Sequence, residues 1–61
     1  MAENAWAVKC REFLRREAWR TDGERLVVEQ QLAYCERGIE PYFAVKGLIE
    51  RRLGEVSNAD A

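Results

Sequence analysis

The stretch Thr21-Asp22-Gly23-Glu24 decides the fold, because it ends one helical pattern and begins the next. Its first and last residues have the spacing of a capping box, in which each side chain accepts a hydrogen bond from the backbone N–H of the other. The residues before the stretch predict a helix over residues 4–20, with Asn4 as its N-cap. The residues after it predict a helix over residues 22–37. A connection this short favours antiparallel neighbours.

A second break lies at Gly38-Ile39-Glu40-Pro41. The glycine suits position C′ of a helix end, where a left-handed backbone carries no steric penalty, and the isoleucine can fold back on Tyr34 in a Schellman-type end. The proline suits the first position of a third helix over residues 41–56. Residues 57–61 read as a flexible tail.

The chain therefore reads as one all-α domain over residues 1–61. Two architectures fit: an up-down-up three-helix unit, or a helical hairpin with a third helix that completes its core in a homodimer. Apolar residues cover most of the second helix, so we expect it to be the central one. The first helix has a narrower apolar stripe, formed by Trp6, Ala7, Cys10, Phe13, Leu14 and Ala18. The third has a seam of Tyr42, Val45, Ile49, Leu53 and Val56.

The composition disfavours catalysis and metal binding. The chain has no histidine and two cysteines, Cys10 and Cys35, neither of which has a visible activating base. We predict no enzymatic activity, no cofactor and no metal, with both thiols buried and reduced in the cytoplasm. The opening residues are polar and acidic, unlike a signal peptide, and no apolar run is long enough to span a membrane.

Two surfaces are candidates for binding a protein partner. The first is a basic-aromatic face on the outer side of the first helix, because tryptophan and arginine are frequent interface anchors. In the alternative interpretation, its tryptophan folds over the following loop and covers the core. The residues of this face are Val8, Arg15, Arg16, Trp19 and Arg20.

The second candidate surface lies on the third helix, where Phe43, Gly47 and Gly54 share a face. A glycine inside a helix costs about 1 kcal/mol relative to alanine, so close approach of a partner helix is one explanation for Gly47. The alternative explanations are that the helix simply tolerates Gly47 and that it ends early at Gly54.

Three polar residues fall within apolar seams, namely Glu17, Gln31 and Arg52. Each is expected to reach the edge of the core with its long side chain. The alternative is a buried ion pair that fixes the register of helices or protomers, and across a dimer Arg52 would meet Glu17.

Some segments resemble the haemolysin-expression modulator family: Leu14-Arg15-Arg16, Glu24-Arg25-Leu26-Val27-Val28-Glu29 with the preceding Asp22, and Arg52-Leu53-Gly54-Glu55. The resemblance implies a small helical protein that binds nucleoid-structuring proteins.

We therefore predict a small regulator, adaptor or inhibitor of the bacterial, plasmid or phage kind. It would dock a helical surface on a protein partner, with homodimerisation as a further expectation. The alternative is a DNA-binding regulator that uses the basic face of the first helix, since the net charge of −1 hides a basic first third and an acidic remainder.

Overall fold

A computed structural model describes the backbone of residues 3–60 and the side chains of residues 3–57. It contains three helices: α1 (Ala5–Arg15), α2 (Asp22–Cys35) and α3 (Phe43–Asp60). There is no strand among the described residues. The predicted all-α, three-helix unit is confirmed. Residues 1, 2 and 61, which include the start of the chain and the end of the predicted tail, lie outside the described part.

The helices run up, down and up. The backbone N–H of Asn4 donates to the carbonyl of Cys35 at 3.1 Å, so the start of α1 lies beside the end of α2. Arg52 Nη2 donates to Glu24 Oε2 at 2.9 Å, which brings the second half of α3 beside the start of α2. Both successive pairs are therefore antiparallel, as the short connections predicted.

The first helix ends at Arg15, well before the predicted residue 20. Glu17 adopts a left-handed backbone with φ of 52°, and its N–H donates to the carbonyl of Leu14 at 3.2 Å. The N–H of Ala18 donates to the carbonyl of Phe13 at 3.0 Å. These two bonds form a Schellman end with glutamate where glycine is usual. The reversal turns Ala18 into the core, where it is 6% exposed.

The second helix ends with the same motif, here as predicted. Gly38 has φ of 86°, and its N–H donates to the carbonyl of Cys35 at 3.0 Å. The N–H of Ile39 donates to the carbonyl of Tyr34 at 3.0 Å. The helix itself stops at Cys35, two residues short of the predicted end, because residues 36–38 form the closing turn.

The predicted capping box is only half correct. Thr21 Oγ1 accepts from the N–H of Glu24 at 3.2 Å, which confirms the cap. The prediction that Glu24 also accepts from the backbone N–H of Thr21 is wrong, because Glu24 Oε1 accepts from the N–H of Arg20 at 3.0 Å instead.

The third helix begins at Phe43, so the expectation that Pro41 is its first residue is wrong. The carbonyl of Tyr42 accepts the first helical bonds, from the N–H groups of Val45 and Lys46, both at 3.0 Å. Pro41 is buried ahead of the helix. The backbone continues as helix to Asp60, whereas the pattern predicted an end at residue 56.

The central helix is α1, which packs against both α2 and α3, and the prediction that α2 is central is wrong. Its residues Ala7, Cys10 and Phe13 are fully buried. The rest of the buried hydrophobic core comes from Ala18, Val28, Cys35 and Ile49. Since α2 packs mainly against α1, part of its broad apolar circumference is left exposed.

Candidate partner-binding surfaces

One exposed surface follows the side of α2 that points away from the core. Leu26 is 56% exposed, and Val27 and Tyr34 are each 38% exposed. Gln30 and Ala33 lie between them and are exposed as well. We call these five residues the α2 outer face. A helix of a monomeric domain normally presents polar residues on its solvent side, so this face is unusually apolar.

A second exposed surface lies where the chain leaves α2 and enters α3. Ile39 is 50% exposed, Tyr42 76% and Phe43 90%. We call these three residues the aromatic surface. Tyr42 was predicted to belong to the seam of the third helix, which is wrong because the helix begins one residue later.

The first turn of α3 is fixed by contacts of Lys46. Its ammonium donates to Glu40 Oε2 at 3.0 Å and lies 5.5 Å from the centre of the Trp6 ring. The ammonium of Lys9 lies 4.5 Å from the same ring. The aromatic surface is therefore held on α1 from behind, while its own side chains point outward.

A groove of about 380 Å³ joins the two surfaces. Tyr34, Ile39 and Tyr42 supply its apolar wall, and Glu40 is its one charged lining residue. The full lining is Gln30, Gln31, Tyr34, Ile39, Glu40 and Tyr42. The groove can therefore receive apolar side chains and hydrogen-bonding groups. It presents no arginine or lysine for an anion.

The glycines of α3 leave its outer side open. A Cβ atom added at Gly47 or at Gly54 would meet nothing within 4 Å. The helix continues past Gly54, so an early helix end does not explain that residue. The chain's own packing requires glycine at neither position, and both lie on the same side of α3 as Phe43.

The predicted basic-aromatic face of the first helix is not assembled. Because α1 ends at Arg15, Trp19 lies in the following turn and packs on the core, with its ring centre 6.4 Å from that of Phe13. The guanidinium of Arg25 lies 5.9 Å from the Trp19 ring. Val8 is 60% exposed on α1 and does not share a face with it. The geometry matches the alternative in which Trp19 covers the core.

The arginines of that face are offset by acids. Arg15 Nε donates to Glu12 Oε2 at 3.1 Å, and Arg16 Nε lies 3.7 Å from Glu12 Oε1. The hydrogen bonds from Arg15 lower the pKa of Glu12. Arg20 Nη2 donates to Glu55 Oε2 at 2.8 Å. This segment is therefore less available to phosphates than its sequence indicated.

A buried bidentate ion pair links α2 and α3. Arg52, 8% exposed, donates from Nε and Nη2 to the two carboxylate oxygens of Glu24 at 3.0 and 2.9 Å. The bonds from Arg52, followed by that from the N–H of Arg20, lower the pKa of Glu24 to about 2. Glu17, which the alternative interpretation paired with Arg52 across a dimer, is exposed at the end of α1. Gln31 is buried at 5% exposure.

The two cysteines are buried, as predicted, and lie together in the core between α1 and α2. Burial and the neighbouring Cys35 raise the pKa of Cys10 to about 12. Burial also raises the pKa of Cys35. A thiol in this state is a poor nucleophile at neutral pH, because the thiolate is the reactive form. Within the described residues, no three cysteine or acidic side chains converge as a metal site requires.

Comparison with family models, with curated proteins and with solved structures finds no match to this chain. The comparisons therefore do not support the resemblance to the haemolysin-expression modulator family. None of the three helices, over the part of the chain described, is long and apolar enough to cross a membrane.

Of the predicted surface residues, Phe43 and Gly47 lie together on the exposed side of α3. The other five predicted residues do not form a single face; they are Val8, Arg15, Arg16, Trp19 and Arg20. The residues that sequence reasoning missed are Leu26, Val27, Ile39 and Tyr42. The signal for the first two was present, because α2 carries more apolar residues than one neighbouring helix can cover.

Proposed function

We propose that this chain is a small helical protein-interaction module without catalytic activity, and that the aromatic surface docks on a protein partner. The observation that carries the proposal is the exposure of Tyr42 and Phe43 side by side. Taking about 200 Å² for a fully exposed aromatic side chain, the pair leaves roughly 300 Å² in water. Large aromatic side chains of this kind dominate the energetics of protein interfaces.

A preformed surface of this kind suits binding of a folded or helical partner. The turn at Gly38 and the contacts of Lys46 hold the backbone in place, so little order has to be created on binding. The groove next to Ile39 and Tyr42 offers a pocket for an apolar anchor of the partner. The free, buried thiols are compatible with the reducing cytoplasm, where we place the protein.

The alternative of DNA binding by the first helix receives less support. Arg15, Arg16 and Arg20 all lie close to carboxylates, which would have to be displaced before phosphates could bind. Binding to phosphates would also weaken steeply as salt rises, whereas docking of the aromatic surface would change little.

The proposal is tested by placing a photo-crosslinking benzophenone side chain at position 43 in cells that naturally express the protein. The matched control carries the same side chain at Arg15, whose side chain is 69% exposed on α1. We expect a discrete protein adduct from position 43 and none from position 15. The same adducts from both positions, or none from position 43, would contradict the proposal. A nuclease-sensitive adduct from position 15 would favour the DNA-binding alternative.

A further inference from the structure

We propose that the α2 outer face binds a second copy of this chain, as an antiparallel pair of α2 helices with its two-fold axis at Gln30. This surface does not include Phe43, but it adjoins Ile39 and the groove that the docking function proposed above also uses.

The spacing along α2 has the form of a helix-pairing seam. Four residues of α2, namely Gly23, Leu26, Gln30 and Ala33, follow one another at alternating intervals of three and four residues, the repeat by which two helices pack side by side. Arg37, in the turn after α2, continues the spacing. All five are exposed. The core-facing residues Val28 and Cys35 lie on the other side of the same helix. Opposite its core-facing side, α2 therefore carries a second face that this chain leaves uncovered, with Leu26 and Ala33 at its centre and Val27 and Tyr34 beside them.

The seam is complementary to itself. Leu26 and Tyr34 each lie four residues from Gln30, about 6 Å along the helix axis in opposite directions. A two-fold axis at Gln30 therefore places Leu26 of one copy opposite Tyr34 of the other, at the edge of the groove that Tyr34 lines. The same rotation places Leu26 of the second copy at the groove of the first, so each copy contributes the same residues to the contact, as an isologous interface requires.

The polar residues of the seam also find partners under this rotation. Gln30 meets its own counterpart at the axis, and a carboxamide can both donate to and accept from another carboxamide. At the two ends, Asp22 of one copy lies near Arg37 of the other. The Asp22 side chain is 88% exposed and lies 3.9 Å from Arg25 of its own helix, and Arg37 makes no ion pair within residues 3–57. The net charge of −1 adds little repulsion between copies.

The available area fits a reversible dimer. Leu26, Val27, Tyr34 and Ile39 are exposed by 56, 38, 38 and 50%. At about 150–200 Å² for each fully exposed side chain, they leave roughly 300 Å² per copy in water, or roughly 600 Å² for the pair. Interfaces are a little over half apolar, so the whole contact comes to about 1,000 Å². That is below the roughly 1,200–2,000 Å² of stable interfaces and within the range of weak, transient ones.

The test is sedimentation equilibrium of the purified full chain over a wide concentration range. We expect the average molecular mass of the wild type to rise from 7.1 kDa toward twice that value as the protein concentration increases. Leu26→Glu should remain at the monomer mass with unchanged helicity by circular dichroism. Val8→Glu is the matched control, because Val8 is exposed to a similar extent on α1, and it should dimerise like the wild type.

The register is tested by disulfide formation in oxidised glutathione. Gln30→Cys should give a covalent dimer, whereas Glu29→Cys, which points to another side of α2, should not. The native thiols are buried and should not react in the folded protein.

A wild type that stays monomeric at all concentrations would overturn the proposal. So would a dimeric Leu26→Glu variant, loss of the dimer in Val8→Glu, or equal cross-linking of the two cysteine variants. A monomer that still gives the adduct at position 43 would refute this inference alone and leave the docking function in place.

Discussion

Replacing Trp19 by alanine measures what this residue contributes to the fold. Its indole packs against Phe13 and beneath the guanidinium of Arg25. A half-buried tryptophan keeps roughly 130 Å² out of water, and at about 25 cal/mol per Å² this corresponds to about 3 kcal/mol. Alanine retains part of that burial, so we expect Trp19→Ala to lower the free energy of unfolding by about 2–3 kcal/mol.

A loss of that size is large for a chain of this length. Domains of this class are stabilised by about 0.05–0.15 kcal/mol per residue, and each kcal/mol shifts the melting temperature by about 4–8 °C. We therefore expect the melting temperature to fall by about 10–20 °C in a circular dichroism scan. Val8→Ala, at an exposed position, is the control and should change stability by less than about 0.5 kcal/mol. A Trp19→Ala variant that melts with the wild type would refute the placement of Trp19 on the core.

Three further perturbations test other parts of the molecule. Gly47→Ala should stabilise the protein by up to about 1 kcal/mol in urea unfolding, because the added methyl meets no atom and glycine disfavours helix; a loss of stability would contradict this. Glu17→Gly should raise the free energy of unfolding by about 0.5 kcal/mol, because glycine adopts the left-handed backbone without the strain caused by a Cβ atom. Glu17→Ala keeps that strain and should not be stabilised. The depressed pKa of Glu24 means that its pair with Arg52 stabilises the fold above pH 4.5 and is lost as the pH falls toward about 2. The difference in melting temperature between the wild type and Glu24→Gln should therefore shrink over that interval, and a constant difference would contradict the assignment.

The connections were the part of the fold that sequence predicted best. Thr21 and Gly38 act through local chemistry, a side-chain cap and a left-handed glycine, so their roles can be read from neighbouring residues. The end of α1 could not be read in this way. Glu17 takes a left-handed backbone that glutamate does not prefer, and burial of Ala18 against the core accompanies it. Tertiary packing there overrides local preference.

The candidate surfaces were predicted only in part. Phe43 was identified from its position off the main seam, and it is 90% exposed. Tyr42 was misplaced because Pro41 was given the first helical position, which shifted the seam of α3. Trp19 was placed on an outer face by extending a regular helix beyond Arg15. Both errors arise at the boundary of a helix, the start of α3 and the end of α1, since a periodic pattern carries no information on where the backbone turns.

The unequal division of the core among the helices bears on the order in which the chain folds. Among residues 3–57, six of the seven fully buried hydrophobic residues belong to α1, the following turn and α2, whereas α3 supplies Ile49 and packs Val45, Leu53 and Val56 against the core only partly buried. Contacts between near neighbours in sequence form fastest, because closing a short loop loses little chain entropy. We therefore expect the α1–α2 hairpin to assemble first and α3 to dock on it afterwards. The pair of Arg52 and Glu24 then closes last, and its removal should speed unfolding while leaving the folding rate almost unchanged.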